Sequence, residues 1–332
     1  MTEQITASAE IAGGEVVRAP RPGAGVAQTA AVRVLGALGV LLAAATVAFF
    51  LVRLSGDPVK LLLPPDATVQ QEATLRASLG LDRPLIVQYL DYLWGLPRLD
   101  LGTSLFYDRP VADVLFERLP ATLELAGAAL VVSLVIAVPA GILAAVRRGR
   151  PADVGVMSAV LVGQSTPAFW AGILLMLLFA VTWQLLPASG YGSFPHLVLP
   201  AVTLAIYSVA VVARLLRSSL VDVLASDHIR TAKAKGLSTT EIVFSHALRN
   251  ASLPVVTVVG LEVGSLLGGA ILTEQVFSWP GIGSLTVEAI TNRDFPLVQA
   301  AVLLFAATFV VVNLLVDLSY TVLDPRVRGS HR

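Results

Sequence analysis

The chain has 332 residues, of which 55% are hydrophobic and 14% charged, and its mean hydropathy is +0.78. Soluble domains carry about 45–50% apolar and about 25% charged residues, so this composition argues for a membrane protein and against an ordinary soluble fold. The absence of cysteine excludes disulfides, thiolate metal sites and cysteine nucleophiles, while basic and acidic residues balance at 23 each, so charge placement matters more than its sum.

Residues 1–30, with the run "GGEVVRAPRPGAGVAQ", lack periodicity and read as a disordered segment. Next, "VLGALGVLLAAATVAFFLV" (34–52) is uncharged and long enough to cross a bilayer. A secretory signal would have a shorter apolar core nearer the start, so 31–53 reads as an uncleaved first span. Further spans fall at about 121–146, 154–183, 197–216, 253–273 and 297–322. Each offers the roughly 20 apolar residues that about 30 Å of hydrocarbon requires. The expected fold class is therefore an all-α integral membrane protein with six transmembrane helices.

Lys and Arg in short loops set the orientation. Arg147, Arg148 and Arg150 lie between spans two and three, and Arg217, Arg230, Lys233, Lys235 and Arg249 between spans four and five; Arg326, Arg328 and Arg332 fill the tail, 324–332. Residues 184–196 contain no basic residue. Both termini are expected in the cytoplasm. The external loop, 54–120, is too long for the charge rule to govern, and it reads as helical. Thr68 and Gln71 form a capping box with Gly80 as stop. Pro84 and Pro110 each start a helix, and Leu85, Tyr89 and Tyr92 share a face.

Between spans four and five runs the polar segment "SDHIRTAKAKGLSTTEIVFSHALRNASLP". The fourth helix is expected to continue through 217–235 and to end where Gly236 supplies a left-handed residue. Ser238 and Glu241 form a second capping box, Ile242, Val243 and Ala247 gather on one side, and Ser252 with Pro254 starts the fifth span. The outcome is a helix–Gly–helix elbow over 217–252, tied at both ends to spans. An ordinary loop helix resting on lipid headgroups remains the alternative on pattern alone.

Three features lie within the bilayer. Gly260, Gly264 and Gly268 recur every four residues as a small-residue face for helix packing. Glu262 sits at mid-depth on the opposite side of that helix, facing protein or water; pathway lining and a buried structural role both remain open. In "GQSTP", Gln164 and Ser165 are further pathway candidates, and Pro167 is expected to kink the third span. Glu124 and Asp317, near span ends, read as structural, and Trp279 in "SWPGIG" suits the outer interface. The histidines are scattered without ligand spacing, so no metal site is expected. There is no G-x-x-x-x-G-K-[ST], so ATP phosphates have no usual cradle.

"RTAKAKGLSTTEIVFSHALRNASLP", "LGLDRPLIVQYLDYLWGL", "DLGTSLFYDRPVADVLFERLPATLELA", "TEQVFSWPGIGSLTVEAITNRDFPLVQA" and "LDPRVR" together resemble the permeases of binding-protein-dependent ABC importers, in the dipeptide/oligopeptide/nickel branch. The likeness covers all but the first 30 residues or so. It implies a type I importer fold in a bacterial inner membrane, and it makes the elbow an EAA loop that docks on an ATPase through Arg230, Thr231, Ala232, Lys233, Ala234, Lys235, Gly236, Leu237, Ser238, Glu241 and Ala247. The family's glutamate is replaced by Arg230, and the Leu253–Pro254 pair lies further from the glycine than in the general pattern. Implied partners are a second permease, two cytoplasmic ATPases that use ATP and Mg, an external substrate-binding protein and membrane lipid, with no nucleic acid and no cofactor held by this chain. Peptides are the leading substrate class, followed by nickel chelates, glutathione or oligosaccharides; an ion-coupled secondary transporter is the rival from another class.

Overall fold

The computed structural model describes residues 26–54, 59, 63, 66–78 and 80–323. Most of the N-terminal stretch and the tail therefore lie outside the described residues, as does the side chain of Asp317. The chain is almost wholly helical: α1 Val26–Leu54, α2 Val69–Ser78, α3 Leu85–Gly95, α4 Val111–Val146, α5 Pro151–Ser165, α6 Ala168–Leu175 with a π-helical extension to Thr182, α7 Phe194–Leu224, α8 Asp227–Ala234, α9 Thr239–Phe277, α10 Ile282–Thr291 and α11 Phe295–Leu323. Among the described residues five helices are long and apolar enough to cross a membrane, and six if the bent pair α5–α6 counts as one span.

Several boundaries differ from expectation for identifiable reasons. Helix already begins at Val26, inside the stretch read as disordered. The helix expected to start at Pro110 as a separate loop element is the first part of α4, which runs unbroken through Pro120 and Pro139. Each proline removes one backbone bond, but tertiary packing holds the axis together. At 36 residues α4 is about 54 Å long, so its charged start overhangs the apolar layer. The fifth span likewise passes through Pro254 rather than starting there, and Ser252 Oγ donates to the Arg249 carbonyl at 3.0 Å instead of capping. At Pro167 the bend reaches 106°. Thr166, forced toward extended backbone by the following proline (ψ 124°), breaks the helix outright. The fourth helix stops at Leu224, and Ser226 (φ −74°, ψ 158°) begins α8 as a separate element.

The loop over 54–120 follows its reading more closely. Gln71 Oε1 accepts from the Thr68 N–H at 2.8 Å, while the Gln71 N–H donates back to Thr68 Oγ1 at 3.3 Å. Gly80 is left-handed, with φ +65°. On α3, Tyr89 and Tyr92 pack on Phe49 of α1, with ring centroids 5.1 and 5.6 Å away, whereas Leu85 stays exposed.

Alanine recurs throughout the interior, which lets the helices approach closely. One cluster joins Ala137 and Ala145 of α4 to Ala213, Leu216 and Leu220 of α7, Ile229 and Ala232 of α8, and Ile242, Ala247 and Ala251 of α9. A second cluster, around Leu125, Leu204, Leu267 and Trp279, fills the middle. A third, around Leu115, Ile282, Leu285 and Leu297, closes the end opposite the elbow.

Candidate functional site

At one end of the bundle the elbow is built as two helices around a left-handed glycine. Gly236 has φ +81°; its N–H donates to the Lys233 carbonyl at 3.0 Å, and the Leu237 N–H reaches back to Ala232 at 3.4 Å. Those two bonds form a Schellman stop, which L side chains other than Asn rarely tolerate. Ser238 Oγ then accepts from the Glu241 N–H at 3.2 Å and opens α9. From Ile242 to Ala247 the turn widens to a π-helical one.

The elbow has two sides. Ile229, Ala232, Ile242 and Ala247 are buried against α7 and the body of α9, and Val243 is buried as well. Arg230, Thr231, Lys233, Ala234, Lys235, Gly236, Ser238, Glu241 and Ser245 are exposed, and Leu237 is half-buried. Of the predicted coupling residues, Ala232 and Ala247 therefore serve the inner face and most of the others form the outer one. Phe244, 59% exposed, stands on that outer face. Sequence reasoning overlooked it, although a phenylalanine among Glu241, Ser245 and His246 was a visible signal. Arg230, where the resembling family has glutamate, pairs with Asp227 at 3.0 Å in full solvent. Beside the elbow, Arg217 of α7 grips Asp153 of α5 in two-pronged fashion at 2.6 and 2.7 Å, and the Gly149 N–H adds a third bond at 2.9 Å. This clamp ties the α4–α5 corner to the helix that leads into the elbow.

The opposite end holds a hairpin between α9 and α10. Trp279, expected at the outer interface, is instead 1% exposed; its indole N–H donates to the Ala121 carbonyl at 2.8 Å, and Tyr191 meets it edge-on at 4.8 Å. Glu274 is fully buried. Its carboxylate accepts from Thr122 Oγ1 at 2.7 Å and from the Ser284 N–H at 2.8 Å, while Thr122 Oγ1 accepts from the Ile282 N–H at 2.8 Å. The first donors of α10 are thus satisfied by α9 and α4, not by a local cap. Gly281 is required here because a Cβ would lie 2.1 Å from Glu274 Oε1. Asp294, also fully buried, caps α11 through the Leu297 N–H at 3.3 Å. It also accepts from the Ser104 hydroxyl and from the Phe106 N–H at 3.2 Å, fastening the loop before α4 to the hairpin. Glu124 accepts from the Tyr191 hydroxyl at 3.1 Å.

The intramembrane candidates separate from one another. Glu262 is 7% exposed beside Ser208 of α7, and neither its Oε2 nor the Ser208 hydroxyl has a hydrogen-bond partner. Gln164 is half-buried and Ser165 exposed, at the break between α5 and α6. A Cβ at Gly260 would come within 2.2 Å of Val316 and one at Gly264 within 2.9 Å of Phe309, so both glycines pack on α11. At Gly268 a Cβ would meet nothing within 4 Å, so the packing row has two members, not three.

Comparison with known proteins fits this architecture. Residues 137–329 match the family described as binding-protein-dependent transport system inner membrane component, and residues 28–126 match its N-terminal companion. The chain is 42% identical over 311 residues to the dipeptide transport system permease protein DppB of Escherichia coli K12, covering 84% of this chain and 92% of that one. It is 44% identical over 297 residues to the glutathione transport system permease protein GsiC of Salmonella typhi, covering 89% and 97%. Among solved structures, the MetNI methionine ABC transporter aligns with a TM-score of 0.54 at 18% identity, over 65% of this chain and 98% of that one, a likeness of fold.

Proposed function

Since the chain belongs to the binding-protein-dependent transport system inner membrane components, we propose that it forms half of a translocation pathway for short peptides, driven from outside the chain through its elbow. It is an importer permease of the dipeptide/oligopeptide branch, with the type I importer fold. The peptide reading rests on the relatives: one is a dipeptide permease and another a glutathione permease, and both substrates are short chains with amide bonds and free carboxylates. The elbow end faces the cytoplasm, because Arg147, Arg148, Arg150, Lys233 and Lys235 gather there.

One observation carries the mechanism. The inner face of the elbow shares a single packed cluster with α4, α7 and α9, while its outer face presents Phe244 among charged and hydroxyl side chains. A partner seated on the outer face cannot move the elbow without moving α7 and α9, because packed interiors shift as units. The chain has no phosphate-binding loop of its own, so partner ATPases that use ATP and Mg supply the work. A second permease completes the pathway, and an external binding protein meets the hairpin end.

Uptake into proteoliposomes containing the assembled transporter tests this reading. Labelled dipeptide should enter with ATP, stop with vanadate and persist when ionophores collapse ion gradients. Arrest by ionophores at constant ATP would point to ion coupling instead. Competition by glutathione or a nickel chelate, but not by dipeptides, would shift the substrate class within the same machine.

A further inference from the structure

A polar pocket of about 350 Å³ opens on the hairpin side, between the end of α1, the loop helix α3 and the start of α11. Its charged lining is Arg53, Arg83 and Asp91, joined by Gln88, Tyr92 and Gln299. Gln88 organises the two arginines: its Oε1 accepts from Arg53 Nη2 at 2.6 Å and its Nε2 donates to the Arg83 carbonyl at 2.8 Å. Arg53 lies 3.4 Å over the Phe49 ring and donates to the Phe49 carbonyl at 3.2 Å; Arg83 gives one N–H to Asp91 at 3.0 Å. A guanidinium has five N–H donors, so both keep spare ones. The Tyr92 hydroxyl is buried and has no hydrogen-bond partner.

The depth of this pocket identifies its surroundings. Arg53 is the last residue of the first span, and Gln299 lies in the first turns of the last one. On α3, Ile86, Leu90 and Trp94 recur every four residues as an exposed apolar stripe, opposite the tyrosines that pack on Phe49. A short helix with such a stripe lies in the membrane interface. Arg98 covers the Trp94 ring at 4.4 Å, as an interfacial cation does. Below the pocket, α1 exposes Val47, Phe50 and Leu51 to the apolar phase.

We propose that this pocket holds the phosphodiester of an outer-leaflet phospholipid, with Arg53 and Arg83 as charge partners, Tyr92 as a neutral donor and the acyl chains along Val47 and Leu51. Burial lifts the Tyr92 hydroxyl to about 12, so it remains a donor throughout the physiological range. The choice of leaflet rests on the orientation proposed above; the pocket and its ligand class do not.

Native mass spectrometry of the full chain with its transport partners, released from vesicles of phosphatidylglycerol, tests the site without depending on transport. One phosphatidylglycerol should be retained in preference to diacylglycerol, which lacks the phosphate. Arg53→Gln and Arg83→Gln should each weaken retention roughly five-fold, Tyr92→Phe less, and Arg53→Lys should restore part of the loss. Equal retention of diacylglycerol, or unchanged retention in a correctly assembled Arg53→Gln/Arg83→Gln variant, overturns the proposal. So does competition by millimolar inorganic phosphate, which would make this a free-anion site. Loss of binding-protein docking with lipid retention intact would assign the arginines to a protein partner and likewise refute it.

Discussion

Glu274 shows how a single buried carboxylate can set the geometry of a helix remote in sequence from some of its partners. It bonds Thr122, 152 residues away, and the N-terminal donors of α10. Losing an acceptor leaves buried donors unpaired, at about 1–3 kcal/mol each. Thermal unfolding in detergent should therefore rank wild type above Glu274→Gln, which keeps one acceptor, and that above Glu274→Ala. An Ala variant as stable as wild type would remove the carboxylate from this role. Glu262 differs, since it is sealed inside its own chain beside Ser208. We expect Glu262→Gln to leave uptake rate and substrate range unchanged, and a changed range would return it to the pathway. Gly236, Ser238 and Thr68 were legible because their partners lie within five residues. Glu274 and Asp294 were not, because their partners are set by how distant helices meet.

Helix α9 joins the elbow to the hairpin, and its glycines give a graded test at the level of elements. Gly260→Ala places a methyl group 2.2 Å from Val316 Cγ2, and β-branched valine has little rotamer freedom with which to yield. Overpacking of this kind costs about 1–3 kcal/mol. Gly268→Ala, with open space around it, should be neutral in the same melting experiment. Equal effects would show that α9 and α11 do not pack as described. Regular spacing announced all three glycines, but spacing alone could not say where α11 diverges. The spans themselves were legible from hydrophobic length, since a bilayer demands it. Their ends were not. Pro120 and Pro254 look like starts locally, yet packing carries α4 and α9 across them, while Thr166–Pro167 breaks its helix outright.

For the whole molecule, two buried clusters that share Val209 run from the elbow toward the hairpin along α4, α7 and α9, and a third joins α4 to α10 and α11. Displacement of the elbow along α9 would be felt where Glu274 anchors α10, so a push at one end would open the other. The Asp153–Arg217 clamp joins α5 to the same unit. Asp153→Asn should preserve assembly but uncouple ATP hydrolysis from uptake, seen as a lower ratio of peptide imported to phosphate released; an unchanged ratio would exclude the clamp from coupling. The outer face of the elbow is the surface on which we propose that an ATPase bears. The chain has no cysteine of its own, so single cysteines at Thr239 and Ser245, both exposed, can be probed with a short bifunctional reagent in the assembled, transporting complex. Crosslinks to the ATPase subunit are expected from both positions, and none from a cysteine at Trp94 of α3, on the hairpin side. Absence of any crosslink from Thr239 and Ser245 in a complex that still imports peptide would contradict that placement.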